Sequence, residues 1–339
     1  MKRTVAFLAA LVFLAVTNTA FAQRGSRGGD TIEIRVVSAM PERTPWGQTL
    51  NSITEAWSRV TNGAVRGVPL HGRNMTEATM LSSIRLNQDQ AALFTSFGLA
   101  EIIPEVMTLS VPFLVRDDAE LSAVLKEVLP LLEERTQRTD FVILAWSNGG
   151  WVNIFSKDPV LVPDQLRAMP LATSASSENL NMVFNRMRFN LVPAETSDMA
   201  SKIASGAITA IYQTPAAVAP LQLHRQLRNM LDMPVAPFVG GIVINRATWN
   251  RISPEMQTAI MNETRRIAAE FDAGMPKTVS DSISLMQRGG LTVNTPTAEQ
   301  RVLWETDVQK AIPELLGTTF DRQIYDRISA ILERERNRR

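Results

Sequence analysis

The sequence predicts an α/β protein of two lobes. Segments with the alternating or continuous apolar pattern of strands alternate along the chain with segments of helix length. This order is typical of a parallel sheet covered by helices. The chain has 339 residues, which is enough for two hydrophobic cores rather than one. The run Phe141–Trp146 is apolar throughout, as in a strand buried on both faces of a parallel sheet.

The N-terminal part of the chain alternates strand and helix. Thr61-Asn62-Gly63 marks a turn, and Thr76 is a candidate cap for a helix. The predicted elements are strands at 31–39, 65–70 and 90–95 and helices at 48–60 and 75–86. This βαβαβ order implies a parallel sheet with helices on its faces.

The rest of the chain continues the alternation. Asp117 and Asp118 are candidate caps of one helix, and Gly206 is a natural end for another. The predicted strands are 141–146, 189–192, 208–212, 227–230, 235–245 and 291–294, and the predicted helices are 119–135, 174–187, 197–206, 254–274, 276–288 and 297 to the C-terminal end. We expect the loops after residues 39, 95, 146, 172, 212 and 236 to surround one cleft between the lobes.

The N-terminus has the pattern of a secretory signal peptide over residues 1–22. Lys2 and Arg3 form a basic start, Val5–Val16 is an apolar core too short to span a bilayer comfortably, and Ala20-Phe21-Ala22 is a cleavage site. The Gly- and Arg-rich residues 23–30 are predicted to be a flexible leader. We therefore expect a periplasmic protein that is cleaved after Ala22.

The composition excludes several classes of function. The absence of cysteine rules out disulfides, a thiolate metal site, a cysteine nucleophile and a lipidated cysteine. A formal charge of +1 gives no reason to expect nucleic acid or an anionic membrane as a partner. His71 and His224 are far apart in sequence, and no nucleophile elbow, phosphate loop or dinucleotide fingerprint occurs. We expect no enzyme activity, no cofactor and no metal.

Several segments resemble, in order and spacing, the solute receptors of tripartite ATP-independent periplasmic (TRAP) transporters. They are PERTPWG from residue 41, VTNGAVRGVPL from residue 60, Thr76-Glu77, IIPEVMTLSVPFLVRDDAE from residue 102 and WSNGGWVNIFSKDPVLVPDQL from residue 146. Each motif alone is weak, but together they cover nearly the whole mature chain. The resemblance implies a receptor that delivers a small molecule to the membrane subunits of an ion-driven permease.

The same resemblance implies a two-lobed periplasmic binding protein fold with a hinge and a long bridging helix. Lobe 1 would comprise residues 31–150 plus about 239–281, and lobe 2 residues 151–238 plus about 282–335. Such lobes close on a ligand by hinge motion.

The chain departs from the family at the residues that bind anions. The short strand after the Asp-Gln-Leu turn usually carries an arginine that clamps a carboxylate, and Ala172 stands there in this chain. The second basic residue, often found after the Gly pair, is also missing, because Trp151-Val152-Asn153 follows that pair. Burial of an unpaired carboxylate costs several kcal/mol, on the order of a thousandfold in affinity.

The sequence therefore predicts a neutral or hydrophobic ligand. We expect the cleft to be lined by aromatic and uncharged polar residues, with Arg43 as a cation at the rim. The candidate ligand-binding residues are Arg43, Trp46, Phe97, Asn148, Trp151, Ala172, Thr173, Ser174, Tyr212, Gln213 and Phe238, and Trp146 is a further aromatic candidate. About half of the aromatic residues are expected to be core.

Two alternatives stay open at this point. The first is a TRAP receptor that binds a carboxylate through Arg43, or through Arg167, which lies five residues before Ala172. The second is a binding protein of another transporter type, or a scaffold or enzyme on a similar fold. The absence of a catalytic cluster argues against an enzyme.

Overall fold

The structure is a computed structural model that describes residues 31–72, 75–173, 178–195 and 197–338. The predicted signal peptide and leader and Ser174 lie outside these residues. Within them, no helix combines the length and the apolar character needed to cross a membrane.

Ten strands form the described sheet. Strand β1 pairs in parallel with β2 and with β3, as the βαβαβ pattern predicts. The strand that begins at Phe141, predicted to lie in a parallel sheet, is instead antiparallel to its three neighbours, because the chain returns along it. The strands are β1 (Ile32–Ser38), β2 (Val65–Leu70), β3 (Ala91–Thr95), β4 (Phe141–Ser156), β5 (Pro170–Thr173), β6 (Asn190–Pro193), β7 (Ala210–Gln213), β8 (Asn229–Leu231), β9 (Ala236–Asn245) and β10 (Thr292–Asn294).

Most of the described helices begin at side-chain caps. Thr76 and Asp117 cap the second and fourth helices as predicted, and Ser253 and Thr297 cap later ones. The helices are α1 (Pro45–Val60), α2 (Glu77–Arg85), α3 (Ser96–Ala100), α4 (Asp118–Thr136), α5 (Pro163–Arg167), α6 (Glu178–Arg186), α7 (Met199–Ala204), α8 (Pro215–Leu221), α9 (Arg246–Trp249), α10 (Pro254–Arg288), α11 (Ala298–Leu315) and α12 (Arg322–Asn337), with 3-10 turns at Pro104–Ser110 and Leu223–Arg225.

The strand order divides the sheet into two halves that share strands. The order is β2-β1-β3-β9-β4-β7-β5-β6, and β8 joins β4 to β10. One half holds β1, β2 and β3, and the other holds β5, β6 and β7. Strand β4 pairs with β9 along its length and with β7 and β8 near its end. Each half forms the sheet of one lobe, so β4 and β9 carry the chain between the lobes.

The pairing of β4 with β9 is irregular between the lobes. Its register shifts between Asn148 and Trp151, and Gly150 in between has φ +89°, a backbone conformation that favours glycine. A bulge of this kind bends a strand and strengthens its local twist. We call this bulged segment of β4 around Gly149-Gly150 the hinge.

Helix α10 runs along both lobes. It packs on α1 and β4 and also on α8, and Trp57 donates a buried hydrogen bond to Thr264 over 2.8 Å. Met275 and Val279 of this helix lie against Gly150. Pro276 has no backbone N–H, so α10 lacks one helical hydrogen bond close to the hinge.

Helix α12 packs on α4 and joins the C-terminal end to an earlier part of the chain. Arg336 binds both carboxylate oxygens of Glu120, with distances of 2.8 and 2.9 Å. Arg336 also donates to the carbonyl of Leu114, and the backbone N–H of Arg116 donates to Glu120. Glu120 is 2 % exposed, so this ion pair is buried on its acidic side.

Some predicted boundaries were wrong for physical reasons. The strand predicted to end at Trp146 continues through the Gly pair to Ser156, because a bulge accommodates the glycines. The helical segments predicted at 254–274 and 276–288 form one continuous helix, which Pro276 does not interrupt. The single C-terminal helix is two helices separated by Leu316–Asp321. The short helices α3, α5, α8 and α9 were not predicted.

Candidate ligand-binding cleft

A cleft of about 390 Å³ lies between the lobes. It is lined by residues that follow the carboxyl ends of β1, β3, β5, β7 and by the start of β9. These are the positions at which open α/β sheets bind ligands. The segment after Trp146, predicted as a cleft loop, is instead part of strand β4, and Ser147 and Gly149 line a smaller cavity behind the cleft.

The lobe 1 wall is ordered by a carboxylate. Glu77 accepts hydrogen bonds from the backbone N–H of Thr95, from its hydroxyl and from the N–H of Gly98, at 2.7, 2.7 and 2.8 Å. Burial raises the pKa of Glu77, although these hydrogen bonds oppose the rise. The interactions fix the turn that presents Phe97 to the cleft.

The lobe 2 wall is uncharged along β4, β5 and β7. Val152, Ala172, Thr173, Tyr212 and Gln213 line it. Thr173 donates to Asn181 of α6, and the side-chain oxygen of Gln213 accepts from the N–H of Thr214. Burial raises the pKa of Tyr212 far above its ordinary value, so its phenol is neutral and able to donate.

The charged residues of the cleft are mainly acidic. Among the described residues that line it, Glu77, Glu101 and Glu195 are acidic and Arg43 is the one basic residue. Arg43 is exposed and forms no hydrogen bond or salt bridge with another described residue. It therefore lies at the rim, where solvent screens its charge.

The hinge contains an aspartate with a raised pKa. Asp272 of α10 accepts hydrogen bonds from the hydroxyl of Ser147 and the N–H of Asn148, at 2.8 and 2.9 Å. Burial raises the pKa of Asp272 to about 6, and the two hydrogen bonds limit the rise. Asn148 also accepts from the N–H of Gly150 over 3.1 Å, so its side chain closes the hinge turn.

We expect Asp272→Asn to stabilise the protein at neutral pH. The folded-state pKa of this carboxyl is above its unfolded value, so the folded state prefers the protonated form. Stability is therefore lost as pH rises from about 4 through about 6 and the group ionises. The amide keeps the oxygen that accepts both hydrogen bonds. Chemical denaturation should give a gain on the order of 1–2 kcal/mol at pH 7.5, after allowance for partial exposure, and almost none at pH 4.

The control for this prediction is Asp281→Asn, which changes an exposed carboxylate on the same helix. A pH-independent effect of Asp272→Asn, or an equal effect of both variants, would contradict a buried hinge carboxylate.

We expect Gly149→Ala to destabilise the hinge. A Cβ at this position would lie 2.4 Å from the Phe238 ring and 2.7 Å from Trp46 Nε1, so both rings would have to move. Overpacking of this kind costs about 1–3 kcal/mol, which thermal unfolding would detect. Gly274→Ala is the matched control, because a Cβ there meets nothing within 4 Å; an equal loss in both variants would disprove the steric explanation.

The other predicted residues lie away from the cleft lining. Trp46 lines the cavity behind the cleft, and Trp151 donates to Asp118 over 2.7 Å. Arg167 binds Asp164, Asp307 and the carbonyl of Met187, and its guanidinium ties α5 to α11. His71 hydrogen-bonds Asn51, and His224 is buried.

Several cleft residues were absent from the sequence prediction. Met40, Met75, Leu180, Met199 and Leu221 contribute apolar surface, and Glu195 contributes a carboxylate. They come from helices or from loops without a distinctive motif. Among the cleft residues that were not predicted, only Glu77 could have been found from the sequence. It follows the helix cap Thr76 in a segment that resembles TRAP receptors.

This fold and cleft are those of a two-lobed binding protein with a space for a small molecule between its lobes. The chain matches the model of the bacterial extracellular solute-binding proteins, family 7, over residues 36–317. It therefore belongs to this family of TRAP solute receptors and is a transport receptor rather than an enzyme.

Individual relatives agree with this assignment. A solute-binding protein of Sulfitobacter sp. strain NAS-14.1 is 23% identical over 234 residues, which cover 67% of this chain and 70% of the relative. A TRAP periplasmic solute binding protein from Ralstonia eutropha, solved with bound (S)-2-acetolactate, has a TM-score of 0.83 at 17% identity and covers 89% of this chain and 99% of its own. A TRAP protein from Sulfurospirillum deleyianum with bound succinate has a TM-score of 0.80 at 17% identity, with 88% and 99% covered.

Proposed function

We propose that this chain is the periplasmic receptor of a TRAP permease for a neutral, largely apolar small molecule. The main support is the apolar character of Ala172 and Val152. Both residues line the cleft. The resemblance to TRAP receptors aligns Ala172 with an arginine that clamps a carboxylate, and Trp151-Val152-Asn153 stands where a second basic residue often follows the Gly pair.

The charge of the cleft supports the same proposal. A carboxylate ligand in the cleft would approach Glu77 and Glu195, and Glu195 already contributes to the raised pKa of Glu77. A hydrogen bond to a charged group contributes roughly 1.5–3 kcal/mol, and neither Ala172 nor Val152 offers one. Desolvation of the anion would therefore go largely uncompensated.

The walls of the cleft suit an uncharged ligand with a few polar groups. Phe97, Met40 and Phe238 offer apolar surface, and Tyr212 and Gln213 offer neutral hydrogen-bonding groups. Pockets for small molecules generally combine such a mainly apolar lining with a few polar groups that fix orientation.

Arg43 supports the alternative, a carboxylate receptor that uses a rim cation. The residue lines the cleft and has no partner among the described residues. We favour the neutral ligand because an exposed, screened arginine compensates burial of an anion poorly. Arg73 lies outside the described residues and belongs in the same test.

Native mass spectrometry and calorimetry on the mature protein test this proposal. We expect a co-purified molecule without ionisable groups, and no binding of succinate at millimolar concentration, whereas its uncharged counterpart succinamide should bind more tightly than succinate. Micromolar succinate binding that is lost in Arg43→Gln or Arg73→Gln would overturn the neutral ligand. Arg66→Gln is the control, because Arg66 pairs with Glu33 at the surface.

We also propose that export removes residues 1–22 and that residues 23–30 are a leader. The lobes would be residues 31–150 plus about 239–281 and residues 151–238 plus about 282–335, with α12 packed on α4 across this division. The intact mass of the exported protein tests cleavage after Ala22.

A further inference from the structure

A small apolar cavity lies in lobe 1 behind the cleft. Its volume is about 40 Å³, and its described lining has no charged residue. Trp46 packs edge-on against Phe238 at 5.6 Å and tilted against Phe271 at 6.1 Å. A water molecule needs about 10–15 Å³ of such space, so the cavity has room for a group of about three heavy atoms.

The cavity adjoins the cleft. Met40, Thr95 and Phe238 line both spaces, so these three side chains form the boundary between them. Met40 is an unbranched and flexible side chain that adapts to irregular shapes. The cavity and the cleft are therefore neighbours, separated by Met40 and Phe238.

One polar group in the cavity wall lacks a partner. Trp146 lines the cavity, its Nε1 is buried, and this N–H makes no hydrogen bond with any described residue. Buried indole N–H groups usually have an acceptor. Ser147 and Thr95 also line the cavity, but their hydroxyl groups donate to Asp272 and Glu77 and neither accepts from the indole N–H.

We propose that this cavity is a ligand subsite for a short, branched apolar group that carries a hydrogen-bond acceptor, such as a ketone or ether oxygen, which binds Trp146 Nε1. The inference rests on the proposed neutral ligand of the cleft and specifies its chemistry at one end. An apolar cavity binds apolar groups in preference to water. The acceptor satisfies the indole N–H, which a purely hydrocarbon group leaves unpaired.

The test follows the indole N–H signals of the whole protein by NMR. The chain has six tryptophans, and the signal that Trp146→Phe removes is that of Trp146. The probe is 3-methylbutan-2-one, whose acetyl end of three heavy atoms matches the cavity while its isopropyl group extends past Met40 toward the cleft. The control is 2,3-dimethylbut-1-ene, which has the same shape with a methylene in place of the carbonyl oxygen. We expect the ketone to move the Trp146 signal downfield, to saturate, and to bind roughly tenfold more tightly than the alkene, which is the effect of one hydrogen bond.

Two variants locate the binding site. Ala268 lines the cavity from α10, and Ala268→Leu should fill the cavity and weaken ketone binding at least tenfold. Trp146→Phe should abolish the preference for the ketone over the alkene. An unshifted Trp146 signal, or ketone binding that is unaffected by Ala268→Leu in a folded variant, would overturn the subsite.

The two proposals fail in different ways. If the natural ligand is an anion that depends on Arg43, succinate will bind at micromolar concentration, and the proposal of a neutral ligand is disproved. The ketone can still move the Trp146 signal in that case. If a neutral ligand occupies the cleft and the ketone leaves the Trp146 signal unchanged, only the subsite is disproved.

Discussion

Ala172→Arg is expected to turn this receptor into one that binds carboxylates. Ala172 is 6% exposed in strand β5 and faces the cleft, so an arginine there would extend into the ligand space. One charge-assisted hydrogen bond contributes roughly 1.5–3 kcal/mol, and an arginine can form two with a carboxylate. Succinate affinity should therefore rise on the order of 100-fold over the natural sequence, as measured by calorimetry.

The control for this gain is Ala172→Met, which adds bulk without charge. Adding Glu195→Gln to Ala172→Arg removes a carboxylate of the cleft that competes for the new guanidinium, and it should strengthen succinate binding further. Equal succinate affinities of Ala172→Arg and Ala172→Met would mean that residue 172 does not reach the ligand.

Arg336→Ala is expected to cause the largest loss of stability. It would leave the carboxylate of Glu120, 2% exposed, without its cation, and breaking a buried pair from one side typically costs about 3–5 kcal/mol. Arg336 is near the end of α12 and partly exposed, so we expect about 3 kcal/mol, measured by denaturation at pH 7. Arg334→Ala breaks an exposed pair with Glu127 and should cost less than about 1 kcal/mol.

The pH dependence of this loss has a defined sign. Burial raises the pKa of Glu120, but the hydrogen bonds from Arg336 and from the N–H of Arg116 outweigh it, so the pKa lies below its ordinary value. A lowered pKa stabilises the folded state above the unfolded pKa, and the stabilisation disappears as pH falls through the folded pKa. The difference between Arg336→Ala and the natural sequence should shrink in acid, and a constant difference would argue against this ion pair.

The sequence was informative wherever local chemistry decides the structure. Thr76 and Asp117 predicted helix starts because their side chains satisfy backbone N–H groups within the same few residues. The parallel order of β1, β2 and β3 followed from the alternation of strands and helices. The segments after β1, β3, β5 and β7 lie around one cleft, as expected where parallel strands present their carboxyl ends on one edge, whereas the predicted loop after residue 146 is part of β4.

Interactions between distant residues were not predictable in the same way. Trp151 was predicted to line the cleft, but its indole N–H donates a hydrogen bond to Asp118, which lies 33 positions earlier in the chain. The pairing of Glu120 with Arg336 spans 216 positions and has no local signal. The cavity beside Trp146 arises from side chains of α1, β3, β4, β9 and α10, and only the packed fold brings these elements together.

The strands and helix that cross between the lobes also restrict how such a protein can be rearranged. Strand β4 belongs to both halves of the sheet, β9 returns along it, and α10 crosses again. Neither lobe is therefore a continuous module that can be exchanged by recombination at a single position. Because the same backbone segments stabilise both cores, we expect partial unfolding of one lobe to expose strand edges of the other, which favours a single cooperative transition.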